Sequence, residues 1–91
     1  WYSYRASKAA LNMLVQTASV EYARRAKNVQ LMAFHPGTTD TALSRPFQGN
    51  VPEGKLFSAD FVAERLLSIV EDMTPVGHAL YLDWQGREIP W

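Results

Sequence analysis

A Tyr and a Lys stand four residues apart near the start of the chain, in "YSYRASKAALNMLV". On a helix turning ~100° per residue, Tyr4 and Lys8 fall on one side, about 6 Å apart along the axis. An ammonium at that range favours a phenolate over a phenol and draws a neighbouring phenol's pKa below its unperturbed ~10. The N-terminal pole of a helix acts in the same direction. A Tyr tuned this way can serve as general acid or base. The same spacing also suits a Tyr that packs its ring and exposes its hydroxyl. The pair alone leaves both readings open.

A second chemistry-bearing stretch is "HPGTTDT". Pro36 and Gly37 follow a short apolar run, so they place a turn at the carboxyl end of a strand. Doubly wound sheets bind their ligands on that side. Gly37 permits close backbone approach, and Thr38, Thr39 and Thr41 add hydroxyls and backbone donors. A plain turn with solvated Thr residues fits the same letters.

The elements that must position these residues follow from the pattern. Residues 3–27 contain neither Gly nor Pro and are rich in good helix formers, with Ser3 as a candidate cap and Arg24, Arg25 and Lys27 at the cationic end. Stepping round this helix gives a narrow polar stripe of Arg5, Asn12, Gln16 and Ser19 and a small-residue stripe of Ala6, Ala10, Met13, Thr17 and Val20. A second apolar stripe holds Leu11, Val15, Ala18 and Tyr22. Two apolar faces imply two packing partners, a sheet and a second helix or subunit. Residues 29–34 read as a buried strand and residues 38–57 as a long loop with at most a short helix, containing Pro46, Gly49, Pro52 and Gly54. Residues 58–73 form a second helix capped by Ser58, with Phe61, Val62, Leu66, Ile69 and Val70 as its apolar stripe. Residues 79–84 form a last strand, followed by a turn at Gln85–Gly86. Helix, strand, loop, helix, strand is the order of an α/β doubly wound parallel sheet.

Bulk composition excludes several classes. The chain has 91 residues, no Cys, two His and nine residues of each charge sign. There is no disulfide, no thiolate metal site and no basic footprint for nucleic acid, and His35 and His78 lie too far apart in sequence to suggest zinc. No run approaches the roughly 20 apolar residues that span a bilayer. The expectation is a soluble, cytoplasmic protein without a metal. With 47% hydrophobic residues on so short a chain, more apolar surface is expected than one small fold can hide.

Taken together, "YRASKAAL", a strand and "HPGTTDT" resemble the carboxyl-terminal half of the short-chain dehydrogenase/reductase family. Tyr4-x-x-x-Lys8 and Pro36-Gly37-x-x-x-Thr41 carry the resemblance, which extends over essentially the whole chain. The end, "YLDWQGREIPW", with "LSRPFQ" and "KLFSAD" before it, looks like the subgroup related to the C-factor signalling protein.

The resemblance implies a Rossmann-like fold and hydride transfer between NAD or NADP and a small alcohol or carbonyl substrate. Tyr4 would be the general acid or base, and Lys8 would assist it and hold the nicotinamide ribose. Pro36 and Gly37 would lie beside the nicotinamide, with the backbone of Thr38 at its carboxamide and Thr41 as the hydroxyl ending the motif. Ala42 to Leu56 would cover the substrate. The family's Gly-rich phosphate loop and its catalytic Ser and Asn lie upstream of the Tyr, and these 91 residues contain no counterpart. The expectation is a carboxyl-terminal fragment of one such domain, inactive alone and weak in cofactor binding at best.

Two contrasting readings stand beside this one. The fragment could be a non-catalytic interaction module that pairs with a copy of itself through the first helix, giving a homo-oligomer. It could also fail to fold independently, with an open strand edge. His35 reads as a strand-end residue beside the turn, Asp40 as a loop cap and His78 as a surface turn residue. Trp84 and Trp91 read as packing anchors, with the tail also available for subunit contacts.

Overall fold

The computed structural model describes residues 2–52 and 54–91. Helix α1 spans Tyr2–Arg25, strand β1 Met32–His35, strand β2 Thr38–Thr39, a 3₁₀ helix Arg45–Asn50, strand β3 Leu56–Phe57, helix α2 Ala59–Glu71 and strand β4 Leu80–Asp83. β1 pairs with β4, and β2 pairs with β3. The contacts divide the chain into two compact units. Of the described residues, one takes in those up to Ala33 with Thr74–Tyr81 and Glu88–Trp91; the other takes in those from Phe34 to Met73 with Leu82–Arg87.

In the first unit, α1 runs unbroken because nothing in it interrupts the backbone ladder. Ser3 lies inside the helix rather than at its cap, a correction to the sequence reading. The helix closes with Ala26 N–H donating to the Tyr22 carbonyl at 2.8 Å, and Val29 N–H reaches Ala26 at 3.0 Å. Arg25 pairs with Glu21 at 3.0 Å across one exposed turn. The strand after it starts at Met32, three residues later than its apolar run suggests, and the Gln30 side chain bonds to the chain before β4. Its Nε2 donates to the carbonyls of Leu31 and His78, and its Oε1 accepts from Val76 N–H at 2.9 Å. This one amide fastens the loop before β4. Ile89 N–H donates to Tyr81 at 2.9 Å, and the Tyr81 and Trp91 rings lie 5.1 Å apart. Among the described residues of this unit, Ala79 is the buried apolar one, 7% exposed.

The packing of α1 also differs from its helical stripes. Of the polar stripe, Arg5 is exposed, but Asn12, Gln16 and Ser19 are half-buried together with Val15, Ala18 and Ala23. Ser19 satisfies its own hydroxyl by donating to the Gln16 carbonyl at 2.7 Å, so a polar residue can sit on a covered face. The small-residue stripe of Ala6, Ala10, Met13, Thr17 and Val20 is exposed along its length.

In the second unit, α2 starts at Ser58, whose hydroxyl accepts from Phe61 N–H at 3.1 Å, and Asp60 lies in its first turn. Phe61, Val62, Arg65, Leu66 and Ile69 form its half-buried face; Val70, placed on that face by periodicity, is 49% exposed. The stretch read from sequence as a loop is anchored at both ends. β2 and β3 pair in parallel, Thr38 opposite Leu56 and Thr39 opposite Phe57. After β4, Asp83 Oδ1 accepts from the N–H groups of Gln85 and Arg87, and Gly86 turns the chain with φ of +85°. Among the residues of this unit whose burial is described, Leu82 is the buried apolar one, also 7% exposed.

Candidate active site

On α1 the helix brings Tyr4 and Lys8 together. The Lys8 ammonium stands over the Tyr4 ring, 5.5 Å from its centroid. Both side chains are exposed, Tyr4 to 54%. Between them, Ser7 turns its hydroxyl back to the Tyr4 carbonyl at 2.7 Å, so it serves the helix backbone. A phenol and an ammonium held one turn apart on an accessible surface can together hold and move a proton at a ligand's oxygen.

In the second unit the Pro36–Gly37 turn closes β1. Gly37 has φ of +77°, a conformation L side chains avoid. Its N–H donates to Nδ1 of His35 at 3.2 Å, so the His ring braces the turn. A Cβ built on Gly37 would lie 2.8 Å from Cε2 of Phe57. The missing side chain is therefore needed first by the protein's own aromatic cluster. Phe57 packs on Trp84 at 4.6 Å and on Phe61 at 5.0 Å between ring centroids. Arg65 fixes the far side of that cluster by donating to the Trp84 carbonyl at 2.8 Å.

Beyond the turn, Asp40 N–H donates to the Phe57 carbonyl at 2.7 Å, continuing the β2–β3 pairing. Asp40 Oδ1 accepts from Nε2 of Gln48 at 3.1 Å. Thr41 is exposed, and its Oγ1 accepts from Ser44 N–H at 3.3 Å. Thr39 Oγ1 is buried with no hydrogen-bond partner among the described residues. Sequence reasoning passed over Ser44, Gln48 and Phe57 here. The signal for Ser44 was its place three residues after Thr41, the spacing of a hydroxyl-capped turn. Phe57 carried no local signal, because it meets Gly37 only through a pairing distant in sequence. No group of three or more His, Asp or Glu that could hold a metal occurs among the described residues. No helix among them is long and apolar enough to cross a membrane.

Comparison with known proteins turns these features into a family. The family model for short chain dehydrogenase matches residues 1–51, the part that holds both the Tyr4–Lys8 pair and the Pro36–Gly37 turn. The chain belongs to the short-chain dehydrogenase family. The chain is 32% identical over 90 residues to C-signal of Myxococcus xanthus, covering 99% of the chain and 49% of that relative. It is 26% identical over 98 residues to the (S)-benzoin-forming benzil reductase of Bacillus cereus, covering 91% of the chain and 39% of that enzyme. Among solved structures it resembles NADPH-bound carbonyl reductase from chicken fatty liver, with a TM-score of 0.79 and 28% identity. That match covers 99% of this chain and 33% of the reductase. The fold is thus α/β and Rossmann-like. The chain spans about half the length of C-signal and less of the other two.

Proposed function

We propose that this chain supplies the proton-handling half of an NAD- or NADP-dependent oxidoreductase acting on a small alcohol or carbonyl compound. The observation that carries the reading is the accessible Tyr4–Lys8 pair, with the ammonium 5.5 Å from the ring centroid. Two of the similar proteins are named as reductases of carbonyl compounds, and one was solved with NADPH. Tyr4 gives its phenolic proton to a carbonyl oxygen during reduction, or accepts one from an alcohol during oxidation. Lys8 supplies positive charge beside that oxygen and donates to the ribose hydroxyls of the cofactor.

The residues present suit the nicotinamide end of such a cofactor. In the first unit Tyr4 and Lys8 offer an exposed hydroxyl and an exposed ammonium; in the second, taken by itself, Thr41 offers an exposed hydroxyl and Thr39 a buried one without a partner among the described residues. Pro36, Gly37 and Thr38 would lie beside the carboxamide of a bound nicotinamide. A bound nicotinamide dinucleotide supplies or accepts the hydride. The chain's residues orient it, position the substrate oxygen and move the proton. Ala42 to Leu56 cover the substrate. These 91 residues hold no Gly-rich loop for the diphosphate, so the chain by itself binds weakly and turns over no substrate.

Reduced nicotinamide mononucleotide is the discriminating probe, because it presents the nicotinamide and ribose without the adenosine half. Titrated at millimolar concentration into ¹⁵N-labelled chain, it shifts the amide signals of Tyr4, Lys8, Thr38 and Thr41. Signals that stay still at all four positions overturn the reading. In a protein that joins this chain to a Gly-rich dinucleotide loop, Tyr4→Phe lowers turnover by roughly 10²–10⁴-fold while cofactor binding persists.

A second reading is favoured by one observation, the exposed stripe of Ala6, Ala10, Met13, Thr17 and Val20 on α1. Here the chain is an interaction module and α1 packs against α1 of another copy. Sedimentation as a dimer or larger species without cofactor supports it; a monomer at 100 micromolar order of concentration removes it.

A further inference from the structure

We propose that Ser44 is a positioning residue that fixes the Thr38–Thr41 wall and turns the Thr41 hydroxyl into a hydrogen-bond donor for the ligand. This rests on the nicotinamide reading above. Ser44 precedes the 3₁₀ helix and occupies its N-cap, yet its side chain makes no capping bond to that helix. The hydroxyl turns back instead. It donates to the Thr39 carbonyl and also lies 3.2 Å from the Thr41 carbonyl. It accepts from Thr41 N–H at 3.2 Å and from Nε2 of Gln48 at 3.0 Å. One donor and two acceptor sites are all that a serine hydroxyl has, and all three are used on this segment. Gln48 spends its second amide hydrogen on Asp40 Oδ1, closing the network on the residue between Thr39 and Thr41.

The consequence for Thr41 is directional. Its Oγ1 accepts from Ser44 N–H, and no bond donated by that hydroxyl occurs among the described residues. On this exposed residue the hydroxyl keeps its one donor for an acceptor such as a carboxamide carbonyl. Ser44 also joins two duties. The 3₁₀ helix belongs to the stretch proposed to cover the substrate, and β2 belongs to the wall beside the nicotinamide. A single hydroxyl ties them, so movement in the covering segment reaches the wall directly.

The test compares wild-type chain, Ser44→Ala, Ser44→Thr and Gln48→Leu by amide hydrogen exchange and by titration with reduced nicotinamide mononucleotide, after circular dichroism has shown each to be folded. In Ser44→Ala, exchange at the Thr41 amide accelerates by about tenfold, the scale of one lost hydrogen bond. The probe-induced shifts at Thr38 and Thr41 vanish while those at Tyr4 and Lys8 remain. Ser44→Thr restores both, and Gln48→Leu gives a smaller change in the same direction. Wild type and Ser44→Ala responding alike to the probe, with unchanged Thr41 exchange, overturns the positioning role alone. A wild-type chain that ignores the probe overturns the nicotinamide reading and this role with it, and is recognised by the silence of Tyr4 and Lys8. Should Ser44→Ala not fold, the Thr41 exchange in Gln48→Leu decides in the same way.

Discussion

Helix α1 carries Tyr4 and Lys8 along 24 residues, none of which is buried. The turn in the second unit carries its residues on a segment braced almost atom by atom: His35 holds Gly37, Phe57 fills the space beside it, and Ser44 holds Thr39 and Thr41. The first arrangement gives geometry by helix periodicity alone, since i and i+4 meet on any helix. The second needs specific partners, because a turn has no ladder to fix it. The protein thus places one pair of functional groups by regular backbone and another group by side-chain carpentry. The two should respond differently to substitution.

The largest expected effect lies in the braced region. Gly37→Ala puts a methyl against the Phe57 ring and a Cβ on a backbone of positive φ, so urea unfolding should show a loss of about 3 kcal/mol. A loss under about 1 kcal/mol would mean that the aromatic cluster yields easily. Ser58→Ala removes the cap of α2 and should cost about 1 kcal/mol in the same measurement. The smallest effect is expected on α1. Val20→Gln alters a residue 60% exposed and should change stability by less than about 0.5 kcal/mol. A clear loss there, growing with protein concentration, would instead reveal a covered face.

The same contrast explains what could be read from the sequence. The helix α2, its Ser58 cap, the turn at Pro36–Gly37 and the meeting of Tyr4 with Lys8 all rest on local rules of spacing. They were legible because each signal lies within about one turn of the chain. The pairing of β2 with β3 was not, since two-residue strands are too short to show a period. Nor was the covered face of α1. Its polar stripe reads as solvent-facing by composition, yet Ser19 satisfies itself on the helix backbone and tolerates cover. Ser3 has the right type for a cap but lies one residue inside the helix. Ser44 carried only the weak signal of its spacing from Thr41, and its partners are mostly backbone atoms, which have no sequence signature of their own.

The short parallel pairing of Thr38–Thr39 with Leu56–Phe57 has a consequence for how such a protein can change. It clamps residues 40–55 at the base, as a hinge plate holds a door of any width. Doubling the length of a clamped loop costs only about 0.6 kcal/mol in closure entropy. Insertions and deletions near the middle of that span, away from the Ser44 and Gln48 contacts, are therefore cheap, while the wall at its foot stays where it is. The span can thus vary in length and composition while the paired strands that hold its ends stay fixed.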